Sequence, residues 1–187
     1  MIEPLRLTAA RVTTFDRQRA LTGATCFFFE RGKRLFLVTS RHVLIDKPTA
    51  HFPDRLEVEL HADPNNLARS AVLSILLHAG GKAIWRQGRD ASSEIDVAVI
   101  EIDRQALPGS VYLQCFTPDH LQSSLGEVGV GSSALIVGFP SGFTTPCTTC
   151  PWCGRRSLRR LSACGFRAKG TSWPMRGRTA VPAVRRW

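Results

Sequence analysis

The chain has 187 residues, and its net charge of +10 sits entirely in its last fifth. Residues 1–146 hold 15 basic and 15 acidic side chains; residues 147–187 hold 10 basic and none acidic. A chain-wide nucleic-acid or anionic-membrane surface is therefore excluded for the body, and only the tail could carry one. The length suits one domain, or two small lobes, with a core that needs no disulfide staple.

No apolar run approaches the roughly 18 residues of a membrane helix. Met1–Gly23 carries four arginines and no signal-peptide core. The expectation is a cytoplasmic, reducing setting without disulfides. Cys26 and Cys115 lie in the body; Cys147, Cys150, Cys153 and Cys164 lie in the tail.

In chain order the body reads as β. Phe27–Glu30 and Arg34–Thr39 flank Arg31-Gly32-Lys33, which predicts a hairpin with a three-residue turn. Leu56-Glu57-Val58-Glu59-Leu60 alternates as a half-buried strand does. Asp63-Pro64-Asn65-Asn66 allows a short helix or a loop. Ala71–Leu77 is a mostly apolar run, and Gly80-Gly81-Lys82 turns the chain into Ala83-Ile84-Trp85. Asp96–Ile102 and Ser132–Phe139 complete the strands, the latter closed by Pro140 and Gly142. Short strands separated by turn signals indicate a sandwich or barrel. From Thr144 onward no strand period or apolar helical face is evident, and the aliphatic content is too low to offset ordering entropy.

Two segments carry chemistry. Thr39-Ser40-Arg41-His42-Val43-Leu44 places an imidazole at the end of a strand, where a rigid sheet can aim it. Ile95-Asp96-Val97-Ala98-Val99-Ile100 places a carboxylate at the start of an apolar strand. An imidazole that relays a proton to and from a hydroxyl needs a carboxylate on its other nitrogen, to fix the tautomer and stabilise the cation. Singly, each residue is a common loop or cap residue. Glu101 and Asp103 lie at the outward end of the same strand and suit the role less.

In order, the segments resemble the bacterial trypsin-like serine peptidases. Gly23-Ala24-Thr25-Cys26-Phe27-Phe28 resembles that family's G-T-G-F-F strand, and Leu37–Leu44 is similar to L-V-T-N-R-H-V-L. Asp96-Val97-Ala98-Val99 resembles its D-V-A-V strand, and Val137-Gly138-Phe139-Pro140 the V-G-Y-P that opens its second barrel. The resemblance covers residues 5–143. It implies an all-β double β-barrel, with the first barrel nearly complete and the second truncated. It also implies His42 as general base, Asp96 as its orienting partner, no cofactor, and a peptide or protein substrate. Neither a specific nucleic acid nor a membrane is expected as a partner, and the oligomeric state is left open. His51, His61, His78 and His120 match no family position and read as surface or packing residues. Cys26 reads as a packed thiol.

The family's nucleophile, a Ser in a Gly-x-Ser-Gly turn, is missing. Ser141 follows Gly138-Phe139-Pro140 too early in the chain, and Ser157, Ser162 and Ser172 lack the glycine frame. The codons of the tail suggest why. Joining each codon's third base to the next codon's first two lets Thr171–Trp187 read F-L-A-D-A-R-T-H-R-G-T-S-G-A-P-V. The same offset over Cys147–Leu161 is compatible with another strand-like string. The reading is a single frameshift near residues 143–146, giving a peptidase domain over 1–143 and an irregular basic tail over 144–187.

Two other readings of the tail stay open. Cys147, Cys150, Cys153 and Cys164 could form a four-thiolate zinc site, although three cysteines at one spacing crowd a single loop. Arg155-Arg156 and Arg159-Arg160 with Trp152, Trp173 and Trp187 could hold nucleic acid, or form a solvated basic tail. A degenerate protease fold that binds peptides without cleaving them is the non-enzymatic alternative.

Overall fold

The structure, a computed structural model, describes residues 4–66, 68–91, 94–124 and 131–139, and the backbone of 152–157. The molecule is mostly β. Seven strands, β1 (Ala9–Asp16), β2 (Arg19–Arg31), β3 (Arg34–Thr39), β4 (Arg55–His61), β5 (Ser70–Leu76), β8 (Trp85–Arg89) and β9 (Glu94–Ile102), form one sheet. The sheet is antiparallel, in the order β5-β4-β1-β2-β3-β9-β8. Among the described residues, one α-helical turn, α1 (Arg41–Leu44), follows β3. A small hairpin of β6 (His78–Ala79) and β7 (Lys82–Ala83) joins the two edge strands β5 and β8. Near it, the Ile84 amide donates to the Leu77 carbonyl at 3.0 Å, so the edges approach at one corner. The strand ladder itself does not close: among the described residues there is a curled sheet and no closed barrel.

The core lies on one face of this sheet. Val12, Cys26, Phe28, Leu37, Val58 and Ile100 are each at most 1% exposed. Alternation explains the arrangement, because residues two apart share a face. On β4, Leu56, Val58 and Leu60 point inward while Glu57 and Glu59 do not. On β9, Ala98, Ile100 and Ile102 line the same face.

Three strand features differ from the sequence expectation. The β2–β3 turn has two residues, not three, since Arg31 pairs with Arg34. Gly32 and Lys33 both take positive φ, 56° and 67°, as a type I′ hairpin requires. The strand β1 and the first half of β2 carry Ala, Thr and Arg at many positions, so their alternation is weak in hydropathy although the backbone pairs from Ala9↔Phe27 to Asp16↔Arg19, with one register shift between Thr14 and Phe15. The third difference lies in the tail, expected to be irregular: β11 (Trp152–Ser157) pairs antiparallel with β10 (Ser133–Gly138). Ladder hydrogen bonds come from the backbone, which any non-proline sequence offers, so a strand can form without a side-chain period. The Asp63–Asn66 segment is a loop, held by an Asx-type bond from the Asn65 amide to Asp63 Oδ1 at 2.8 Å.

The register of β8 shifts between Gln87 and Arg89, where Gly88 faces Ile95. A Cβ at Gly88 would lie 2.5 Å from Ile95 Cδ1. Gly88→Ala is therefore expected to destabilise the fold by about 1–3 kcal/mol through overpacking, as measured by urea denaturation. Wild-type stability in that variant would refute the close approach.

Candidate active site

The site is set by the pairing of β3 with β9. Thr39, the last residue of β3, lies opposite Ala98. Asp96 is two residues before Ala98 and so shares its face, at the open end of the buried Ala98–Ile100–Ile102 row. Directly after β3 the chain passes Ser40 and turns into α1, which carries His42. Val43 and Leu44, 4% and 2% exposed, anchor that turn in the core. Thr39 is also fixed: its hydroxyl donates to the Thr25 carbonyl at 2.9 Å.

The sheet thus brings together the two residues singled out in the sequence. Asp96 uses both carboxylate oxygens on His42. Oδ2 lies 2.7 Å from Nδ1, and Oδ1 accepts from the His42 backbone N–H at 2.9 Å. An ionised carboxylate only accepts, so Nδ1 carries the proton and, in the neutral ring, Nε2 holds the lone pair. Gripping backbone and ring together fixes both the position and the rotation of the imidazole. Both side chains are partly solvent-accessible, at 40% for His42 and 52% for Asp96, so Asp96 is more open than a buried strand-start carboxylate would be.

The surroundings are polar and cationic. Glu94, on β9 two residues before Asp96, is held below the ordinary carboxylate range, chiefly by a hydrogen bond with Gln87 and also by the charges of Arg89, Arg41 and Lys47. The Arg89–Glu94 ion pair spans 3.8 Å across the β8–β9 ladder.

The remaining candidates have other places. Glu101 forms a bidentate pair with Arg34 on the outer surface, and Asp103 caps the 3-10 turn Arg104–Ala106 by accepting from the Gln105 amide at 2.9 Å. His120 closes a capping box, its Nδ1 accepting from the Thr117 amide at 3.0 Å. His61 is buried and His78 lies exposed on β6. His51 was missed by sequence reasoning: its Nε2 lies 2.8 Å from the Val43 carbonyl, beside the His42 turn. Nothing in the spacing of a histidine nine residues downstream indicates that contact. Ser141, Ser162, Ser172, Cys147, Cys150 and Cys164 fall outside the described residues, whereas Cys153 and Ser157 lie on the backbone of β11. Among the described residues no group of three His, Cys, Asp or Glu side chains could hold a metal ion. No described helix is long and apolar enough to cross a membrane.

Cys26 is packed in the core, 1% exposed, with its Sγ 3.5 Å from the Ala10 carbonyl. Burial pushes its thiol up to about 12. Nucleophilic reactivity belongs to the thiolate, so this cysteine is inert at neutral pH. Iodoacetamide at pH 8 is expected to leave Cys26 unmodified in the folded chain and to alkylate it in urea, as read by peptide mass spectrometry. The folded-state value lies above the unfolded one, near 9. The Cys26 contribution to stability is therefore complete below about pH 9 and is lost as the pH rises toward 12. Cys26→Ala should flatten that part of the stability profile.

No family model, curated protein or solved structure matches this chain.

Proposed function

We propose that the chain descends from a trypsin-like serine endopeptidase, with His42 as the proton-relaying base and Asp96 as the carboxylate that orients it. The observation that supports this most is the two-oxygen grip of Asp96 on the Nδ1 and backbone N–H of one residue. A surface ion pair has no need to fix the ring as well as the chain. General-base catalysis does, because Nε2 must meet a hydroxyl within hydrogen-bond reach. The order of the matching segments and the all-β fold are consistent with the double-barrel architecture, residues 1–143 forming the peptidase domain.

The chain as written carries no Ser in a Gly-framed turn. It is therefore read as inactive toward peptide bonds, its nucleophile encoded in the offset frame. Incubating the folded chain with a serine-directed fluorophosphonate is expected to give no adduct. An adduct on any serine that disappears in His42→Ala would overturn the inactive reading.

A second reading, peptide binding without cleavage, draws on β5. That strand ends the sheet, and Ser70–Leu76 contains no charge and no proline. Val72 and Leu76 are 55% and 66% exposed. Such an edge can accept an extended peptide by strand addition. Val72→Lys is expected to abolish any retention of apolar peptides, measured by fluorescence anisotropy. Unchanged binding in that variant would remove β5 as the site.

A further inference from the structure

Whatever holds His42 must hold a single helical turn. An isolated turn of four residues fixes several dihedrals for very few hydrogen bonds and does not persist unaided. In α1 the internal bonds run from the Val43 amide to the Ser40 carbonyl, 3.1 Å, and from the Ile45 amide to the Arg41 carbonyl, 2.9 Å. Ser40 provides no side-chain cap. The carbonyls at the end of such a turn have no intrahelical partner and must find one elsewhere.

The Val43 carbonyl, next in the chain to His42, finds His51. Its partner atom is His51 Nε2 at 2.8 Å, and since a carbonyl only accepts, Nε2 carries the proton. His51 is itself held firmly. Its amide donates to the Asp46 carbonyl at 2.9 Å, and its carbonyl accepts from the Asp46 amide at 3.0 Å. Inside this closed loop the Ala50 amide donates to the Lys47 carbonyl at 3.1 Å, and the Thr49 hydroxyl to Asp46 Oδ2 at 2.5 Å. Ala50 takes a positive φ of 56°, which brings the chain back toward α1. Residues 46–51 therefore form a clip that starts just beyond the turn and returns a ring nitrogen to it.

We propose that His51 is a positioning residue for His42: its Nε2–H bond to the Val43 carbonyl sets the turn so that His42 Nδ1 stays on Asp96. The turn then has three supports: Val43 and Leu44 in the core, Asp96 on His42, and the clip on Val43. The inference rests on the reading of His42 and Asp96 as a functional pair. A histidine serving only as loop filler would sit beside α1 without aiming a donor at its carbonyl.

The test reads His42 directly and needs no turnover. A ring proton held between Nδ1 and a carboxylate gives a downfield NMR resonance, and Asp96→Asn identifies it by abolishing it. His51→Leu keeps an apolar side chain in place without a donor, and His51→Gln offers an amide N–H that can reach the same carbonyl. The expected result is loss of the His42 resonance in H51L with core methyl resonances unchanged. H51Q is expected to keep the parental resonance. A folded H51L with an unaltered His42 resonance overturns the proposal while leaving the pair intact. Should H51L not fold, H51Q decides: a folded H51Q that has lost the resonance overturns the role. A parent chain with no resonance sensitive to D96N overturns the pair itself, and the role of His51 with it.

Discussion

If the chain carries the proposed frameshift, translating the codons of residues 147–187 in the offset frame is expected to give a hydrolase with a labelled serine. The residues permit an offset string with G-T-S-G, the frame that a tight nucleophile turn needs for its backbone N–H groups to stabilise an oxyanion. In the reframed chain a fluorophosphonate adduct should map to that serine. His42→Ala should then lower kcat/KM by on the order of 10⁴–10⁶-fold, because nothing else would remove the hydroxyl proton as it attacks. Asp96→Asn should lower it by on the order of 10⁴-fold, since an amide in place of Oδ2 no longer selects the Nδ1–H tautomer. Determining the bases that encode residues 147–187 is the simpler check. If they do not spell G-T-S-G in the offset frame, the frameshift explanation is wrong.

The second large effect is expected in the core beneath the site. Phe28 on β2 is 1% exposed and sits among Cys26, Leu35 and Leu37 in the buried cluster. Truncating such a ring removes its transfer free energy and leaves a cavity, at a cost of about 3–5 kcal/mol. Domains of this kind have only about 5–15 kcal/mol in total. Phe28→Ala should therefore shift the urea midpoint strongly or prevent folding. His42 should be affected along with it, since β2 pairs with β3 and β3 leads into α1. A midpoint within error of the parent would show that Phe28 does not belong to the cooperative core. The His42–Asp96 pair, by contrast, is partly exposed, and His42→Ala is expected to leave stability nearly unchanged.

Legibility followed the physics of each signal. The β4, β9 and β10 strands were readable because Val, Ile and Leu alternate or run continuously there. The strand β1 was not, since Thr14, 0% exposed, takes an inward place that a hydropathy pattern assigns to an aliphatic residue. The β2–β3 hairpin was readable from Gly32, but its two-residue length was not, because Lys33 adopts the left-handed conformation that composition assigns to glycine. A tail strand at Trp152–Ser157 left no trace in side-chain period, because its pairing is made by backbone groups.

The sequence by itself determined that the body is β, that charge and cysteines are displaced into the tail, and which two residues suit a base and its carboxylate. Each of these is a local property: a period, a count, or a residue type beside a strand. Only the tertiary structure decided that, among the described residues, seven strands join in one sheet whose ladder stays open. It alone placed Asp96 on both the ring and the backbone of His42, across 54 residues of chain. It alone turned His51 back onto the carbonyl beside that histidine. Contacts of that kind depend on strand register and loop closure, and register is a relation between segments that neither segment encodes alone.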